Sequence, residues 1–266
     1  MATQPPTIRK IKKYGWIPDL PDARYHLFAA PPAVLAKLPA HVDLQPKCPP
    51  VYDQGALGSC TGNAIGAAIQ FDRMKQGQAS AKDLVPSRLF IYYNERVIEG
   101  SVGSDSGAQI RDGVKSVAKL GTCFESGRSS WPYKVAEFTQ RPPKACYAAA
   151  EKHQIVQYSS VVPALSQLKG CLAAGYPFVF GFTVYESFEN QQVAASGVVP
   201  MPSPGEHAIG GHAVLGVGYD DKTETFSVRN SWSARWGKGG YCGMPYSYLT
   251  NEHLARDFWT IRMVEA

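Results

Sequence analysis

Four residues of this 266-residue chain, Cys60, His212, Asn230 and Gln54, have types and spacings that suit nucleophilic chemistry. Cys60 sits in Ser59-Cys60-Thr61-Gly62-Asn63, directly before an apolar stretch of helical period. A thiol at a helix N-terminus faces the positive end of the helix dipole, which favours thiolate, most of all beside a protonated imidazole. His212 and Asn230 lie on either side of a polar turn centred near Asp221, each nine residues from it. Residues equidistant from a hairpin turn oppose each other, with Cβ atoms about 5 Å apart. A carboxamide oxygen in that place accepts one ring N–H, fixes the tautomer and leaves the other nitrogen as a base. Gln54 precedes Cys60 by six residues, with Gly55 and Gly58 between. From there its amide can donate to an oxyanion beside the Cys60 backbone N–H. Taken singly, each has a blander reading: a polar pair at a sheet rim, a small buried residue at a helix start. It is the combination that points to a nucleophile, a base, an orienting amide and an oxyanion donor.

The elements that must carry these groups change character along the chain. Residues 1 to about 40 are rich in proline and basic residues and read as an extended segment. A helical half follows. Ala64, Ile65, Ala68, Ile69 and Phe71 form the stripe of a helix from Cys60 to Gly77. A second helix is expected over Ser87 to Ile98. A third should run from Gln109 to Leu120, with Gly121 as its stop. Short helices are expected over Lys144 to Lys152 and Ala164 to Ala174. The last third is strand-rich, with strands over Pro177–Val184, His212–Tyr219 and Thr225–Asn230. Helices followed by strands predict an α+β protein of two subdomains with a cleft between them.

Composition narrows the function class. Apolar residues make up 44% and charged residues 18%, which excludes a disordered chain. The net charge of +5 is concentrated in residues 1–40, which hold six bases and two acids. The remaining body is nearly neutral and offers no extended nucleic-acid footprint. No apolar run is long enough to span a membrane, and no secretory signal is recognised, so the cytoplasm is the default location, with export by another route left open. The six cysteines show no metal-binding spacing, and their disulfide pairing stays open; Cys171, in an apolar helical pattern, reads as inert core.

Asp53-Gln54-Gly55-Ala56-Leu57-Gly58-Ser59-Cys60 resembles the nucleophile segment of papain-like cysteine peptidases. The run Gly211-His212-Ala213-Val214-Leu215-Gly216-Val217-Gly218-Tyr219 is similar to their histidine strand. Arg229-Asn230-Ser231-Trp232, followed by Trp236-Gly237 and Gly239-Gly240-Tyr241, is similar to their Asn-Ser-Trp segment. The order Gln, Cys, His, Asn also matches, and the likeness runs from about residue 38 to 245. Some positions depart from the family pattern. Leu57 stands where a structural cysteine is usual, Thr61 where a tryptophan is usual, and Gly211 where the residue before the base is often Asp or Asn. Asp105-Ser106-Gly107-Ala108 occupies the place of the family's Gly-Cys-x-Gly-Gly stretch. These departures resemble a divergent bacterial branch.

The resemblance implies a helical subdomain over residues 38–150 carrying the nucleophile. It implies an antiparallel, barrel-like β subdomain over 151–266 carrying His and Asn. It further implies a Cys60–His212–Asn230 triad, an oxyanion hole from Gln54 and the Cys60 N–H, and Trp232 shielding the His–Asn bond. Gly107 and Gly211 would contact substrate, and no cofactor or metal is implied. The implied reaction is hydrolysis of peptide bonds in peptide or protein substrates through an acyl-enzyme. His207, in a Pro/Gly-rich loop, is the rival base. Family members are commonly zymogens, so residues 1–37 are expected to lie across part of the cleft through Tyr14, Trp16, Tyr25 and Phe28. The alternatives for that basic segment are a surface-packed arm or a contact for an acidic partner. The competing function is a catalytically silent peptide- or ligand-binding protein on the same fold; transfer to an acceptor other than water and exopeptidase action also stay open.

Overall fold

The computed structural model describes residues 13–22, 25–78 and 84–265. Residues 1–12, 23 and 24, with Arg9, Lys10, Lys12 and Arg24 among them, lie outside the described residues, so the head segment is followed only from residue 13. In chain order the elements are β1 (Leu27–Phe28), α1 (Pro32–Leu35), β2 (His41–Asp43), α2 (Cys60–Lys75), α3 (Arg88–Ile98) and α4 (Ile110–Leu120). There follow α5 (Lys144–Ala150), β3 (Ile155–Val161), α6 (Leu165–Ala173), β4 (Phe178–Tyr185) and α7 (Gln191–Ser196). The chain closes with β5 (Ala208–Asp220), β6 (Thr225–Arg229), β7 (Tyr241–Pro245), α8 (Tyr246–Leu249) and β8 (Ala255–Val264).

Helix α2 is the pivot. Its residues Cys60 through Arg73 are all buried, so it is enclosed on every side rather than amphipathic. Gly62 makes this possible: a Cβ there would stand 2.7 Å from the Arg88 carbonyl oxygen, so only glycine lets α3 approach so closely. Helix α3 is capped by Ser87, whose hydroxyl accepts the Phe90 N–H at 3.1 Å. Helix α4 stops at Gly121, whose φ is 73°.

The other wall is a sheet of order β1-β3-β8-β4-β5-β6-β7, with β2 also pairing with β5. Pairing is antiparallel except between β1 and β3. The fold is α+β, as expected, and its sheet is open rather than barrel-like. The main core joins α2 to the inner face of the sheet through Ile65, Ile69, Phe178, Phe180, Val214 and Phe258. A second cluster around Leu89, Phe90, Cys123 and Trp131 lies on the other side of α3. Cys171 is fully buried in the main core, where burial pushes its thiol up to about 12.

Two local expectations are corrected. The prolines of the head segment permit a short helix, because Pro32 occupies the first turn, where its missing N–H and fixed φ cost nothing. The β5–β6 hairpin also has a different register. Leu215 opposes Arg229 and Asp220 opposes Thr225, with a bulge between Gly216 and Gly218. His212 therefore faces Phe182 of β4 across the ladder, and Asn230 lies just past the end of β6. Among the described residues, no helix is long and apolar enough to cross a membrane.

Candidate active site

Cys60 opens α2 with its side chain fully buried. His212, on β5, is also fully buried, and its Nε2 lies 2.8 Å from Asn230 Oδ1. Since a carboxamide oxygen only accepts, Nε2 carries the proton in the neutral ring. Nδ1 has no hydrogen-bond partner among the described residues. The juxtaposition read from the sequence is thus present, although the strand register differs. Asn230 Oδ1 also accepts the Ser231 N–H at 2.7 Å, which fixes the carboxamide. Trp232 stacks obliquely on the imidazole, centroids 5.0 Å apart, and Phe182 meets it edge-on at 5.8 Å.

Gln54 is fully buried on the loop before α2. Its Oε1 accepts the Ser231 hydroxyl at 2.6 Å, and its Nε2 donates to the Leu57 carbonyl at 2.9 Å. One amide hydrogen is thereby engaged, and the amide has a second. Asp105 anchors the same loop by accepting the Gly58 N–H at 2.9 Å and the Tyr92 hydroxyl at 2.6 Å.

Beneath this loop lies a network that the sequence reading did not find. Arg88 forms a two-pronged bond to Glu125, at 2.6 and 3.0 Å, and donates to Asn63 Oδ1 at 2.9 Å. Its guanidinium is sandwiched by Tyr52 and Tyr133. Tyr133 donates to the Gln54 carbonyl, and Asn63 donates to the Ser59 carbonyl. The network therefore braces both ends of the segment from Gln54 to Cys60. An arginine in the first turn of an apolar helix was the available signal, but its partner lies 37 residues away.

Electrostatics reverse one expectation. Burial pushes the Cys60 thiol up to about 12, and the Glu95 charge acts the same way; backbone hydrogen bonds from Ala213, Gly15 and Thr61 only partly offset this. Burial also holds the His212 imidazole down to about 4, against the Asn230 bond. The helix dipole alone would have favoured thiolate, but in this sealed arrangement desolvation outweighs it. Both groups rest neutral.

The head segment packs over these groups. Trp16 N–H donates to the Gly211 carbonyl at 2.9 Å. Ala108 N–H donates to the Gly15 carbonyl at 2.7 Å, and Ile17 N–H to the Ala108 carbonyl at 3.0 Å. Residues 15–17 thus form a strand between the two walls, parallel to the chain at Ala108. Tyr14 packs on His212 and Trp232, centroids 6.0 and 6.4 Å apart, and its hydroxyl donates to Glu189. Gly107 and Gly211 both line this passage. A Cβ on Gly107 would stand 2.3 Å from the Gly15 oxygen, and one on Gly211 would meet the Trp16 ring at 2.5 Å. The backbone pairing is made by Ala108, next to Gly107, because the Gly107 N–H is taken by the Tyr92 hydroxyl. His207 is exposed on its loop and is not among the groups gathered around Cys60.

Comparison with known proteins bears on this arrangement. Residues 38–255 match the family described as papain family cysteine protease. A peptidase C1-like protein of Acanthamoeba polyphaga mimivirus is 45% identical over 220 residues, which are 80% of this chain and 69% of that protein. A cathepsin B-like protein of Giardia intestinalis is 30% identical over 214 residues, 74% of this chain and 64% of that protein. Among solved structures, xylellain, a cysteine protease from Xylella fastidiosa, is 45% identical with a TM-score of 0.86, covering 97% of this chain and 98% of that one. A procathepsin B of Trypanosoma congolense shares the fold, with a TM-score of 0.70 at 18% identity, covering 96% of this chain and 87% of that one.

Proposed function

The chain belongs to the papain family of cysteine proteases, and we propose that it hydrolyses peptide bonds through Cys60, His212 and Asn230, with its N-terminal segment partly restricting access. In this reading residues 38–150 carry the nucleophile and 151–266 the base and its partner. The supporting observation is the His212–Asn230 bond, which leaves Nδ1 unpartnered on the strand whose Ala213 backbone reaches the Cys60 sulfur.

The chemistry follows from these positions. Once water and substrate replace the head segment, Nδ1 accepts the thiol proton and an ion pair forms at the dipole's positive end. The sulfur attacks a peptide carbonyl. The Cys60 N–H, an orphan donor of the first helical turn, and the second Gln54 amide hydrogen take the developing oxyanion. The imidazolium then protonates the departing amine, and water attacks the thioester as Nδ1 takes its proton. Asn230 keeps the ring oriented and accepts from it throughout. Trp232 covers the Nε2–Oδ1 bond from water.

Restriction of the site is supported by the seat of Gly15, which is pressed between Gly58 and Gly107 with its backbone bonded to the sulfur. The strand at 15–17 occupies the backbone groups that an extended peptide would use. The test is hydrolysis of a mixed peptide library, with products identified by mass, by the full chain, Cys60→Ala and His212→Ala. The full chain should cut internal bonds, and both variants should be silent. Equal cleavage by Cys60→Ala would refute the assignment. A full chain that binds peptides without cutting them would favour the silent binding protein.

A further inference from the structure

The peptide group between Leu57 and Gly58, inside the nucleophile loop, is held at both edges. Its carbonyl accepts a Gln54 amide hydrogen at 2.9 Å. Its N–H donates to Asp105, 2.9 Å from one carboxylate oxygen and 3.2 Å from the other. Asp105 lies 47 residues from Gly58, in the loop between α3 and α4. Among the described residues, no backbone hydrogen bond joins the segments 54–60 and 101–108 directly. Each meets the head segment instead: Ala108 N–H donates to the Gly15 carbonyl, and Gly15 rests against the Gly58 carbonyl. Once this arm is displaced, the Asp105 carboxylate is the hydrogen-bonded tie between them.

Asp105 is held in place independently of the nucleophile loop. It accepts the Tyr92 hydroxyl at 2.6 Å, and that hydroxyl accepts the Gly107 N–H at 3.1 Å, which fixes the chain leaving Asp105. Tyr92 is fully buried on α3, with the Arg96 guanidinium 4.1 Å above its ring. Arg96 donates to the carbonyls of Val102 and Ser104 at 3.1 and 2.9 Å, which fixes the chain entering Asp105.

The consequence reaches the oxyanion donors. A carboxylate on a peptide N–H polarises that peptide group and strengthens the bond its carbonyl accepts. Here that bond comes from Gln54, whose Oε1 also accepts the Ser231 hydroxyl at 2.6 Å. The amide is thus pinned at its oxygen and at one N–H, and its second N–H keeps a fixed direction.

We infer that Asp105 is a positioning residue for the reaction, aiming the Gln54 amide at the oxyanion through the Leu57–Gly58 peptide group. This role rests on the reading that Cys60 cleaves peptide bonds with Gln54 as an oxyanion donor. Its effect is confined to steps in which an oxyanion forms. Attack of the sulfur on a peptide carbonyl is such a step. Alkylation by iodoacetamide is not: the sulfur forms a bond to the methylene carbon, iodide leaves with the C–I electron pair, and no oxyanion develops.

The test uses the full chain at neutral pH and measures kcat for a peptide amide substrate beside the rate of Cys60 alkylation by iodoacetamide. Wild type, Asp105→Asn, Gln54→Ala and the double variant are compared. Asparagine keeps the shape and can accept the Tyr92 hydroxyl, but it sets an N–H against the Gly58 N–H. Asp105→Asn should lower kcat by about 10- to 100-fold and leave the alkylation rate within about twofold. In the Gln54→Ala background the same substitution should cost less than about twofold, because the group it aims is gone. Three results overturn the role: Asp105→Asn cutting as fast as wild type, a loss just as large without Gln54, or kcat and alkylation falling together. A wild type that is alkylated at Cys60 yet cuts nothing, or a Cys60→Ala chain that cuts equally well, overturns the peptidase reading and the role with it. Should Asp105→Asn not fold, Tyr92→Phe removes only the hydroxyl that orients the carboxylate. It should lower kcat by about 2- to 10-fold with Gln54 present and leave it unchanged without; an equal loss in both backgrounds refutes the role.

Discussion

Replacing Gly15 by alanine should open the site without deleting anything. The added Cβ would lie 1.6 Å from the Gly58 oxygen and 2.4 Å from its carbonyl carbon, both backbone atoms of the nucleophile loop. That loop cannot retreat, because Asp105 fixes Gly58 and Gln54 fixes Leu57. The arm must move instead, and it gives up the Trp16–Gly211, Ala108–Gly15 and Ile17–Ala108 backbone bonds. At about 1 kcal/mol net each, the loss is ~3 kcal/mol, which raises the open fraction about 100-fold. Tyr14 would also leave the imidazole, admitting water to the groups whose burial now keeps them neutral. The assay is the second-order rate of Cys60 alkylation at neutral pH, with peptide mapping to confirm the site. A rise of about 100-fold is expected for an arm held mainly by those bonds. An unchanged rate in a variant with native circular dichroism would refute the reasoning, because the clash would then have been absorbed without uncovering the sulfur.

Further outcomes follow from the same geometry. Gln54→Ala removes one oxyanion donor and should lower kcat by about 100- to 1,000-fold, read with a peptide amide substrate. Asn230→Ala deprives the imidazolium of its acceptor, a bond worth about 1.5–3 kcal/mol, so kcat/KM should fall by roughly 10- to 150-fold. Glu125→Gln leaves the Arg88 charge buried against Tyr52 and Tyr133 and should cost about 3 kcal/mol or more in urea unfolding. His212, held near 4 in the folded state against 6.5 for the free group, binds a proton sooner when unfolded. Stability should therefore fall as pH drops from about 6.5 to about 4, by roughly 3 kcal/mol from this group, and His212→Gln should remove that part of the acid slope.

What the sequence made legible was whatever depends on local pattern. Helices α2, α3 and α4 lie within a residue or two of their expected bounds because stripe, cap and stop coincide, as at Ser87 and Gly121. The pairing of His212 with Asn230 was foreseen, but through the wrong register. The bulge near Val217 and the turn over residues 221–224 shift the ladder, and Asn230 reaches the ring from beyond the strand end. Strand β8 escaped notice because Arg256, Asp257 and Arg262 interrupt its apolar residues, and at Asp257 the interruption serves the contact with the head segment. The thiol's environment was misjudged for a related reason. A helix start can be read from sequence, whereas the desolvation imposed by an arm 45 residues earlier requires the fold.

The central claim is that Cys60 is a nucleophile activated by His212. Its most direct measurement is intact mass and peptide mapping after exposure of Gly15→Ala and Gly15→Ala/His212→Ala to a peptidyl electrophile at neutral pH. One adduct, on Cys60 and dependent on His212, is the predicted result. A folded Gly15→Ala protein without an adduct, or one modified equally in the absence of His212, would contradict it.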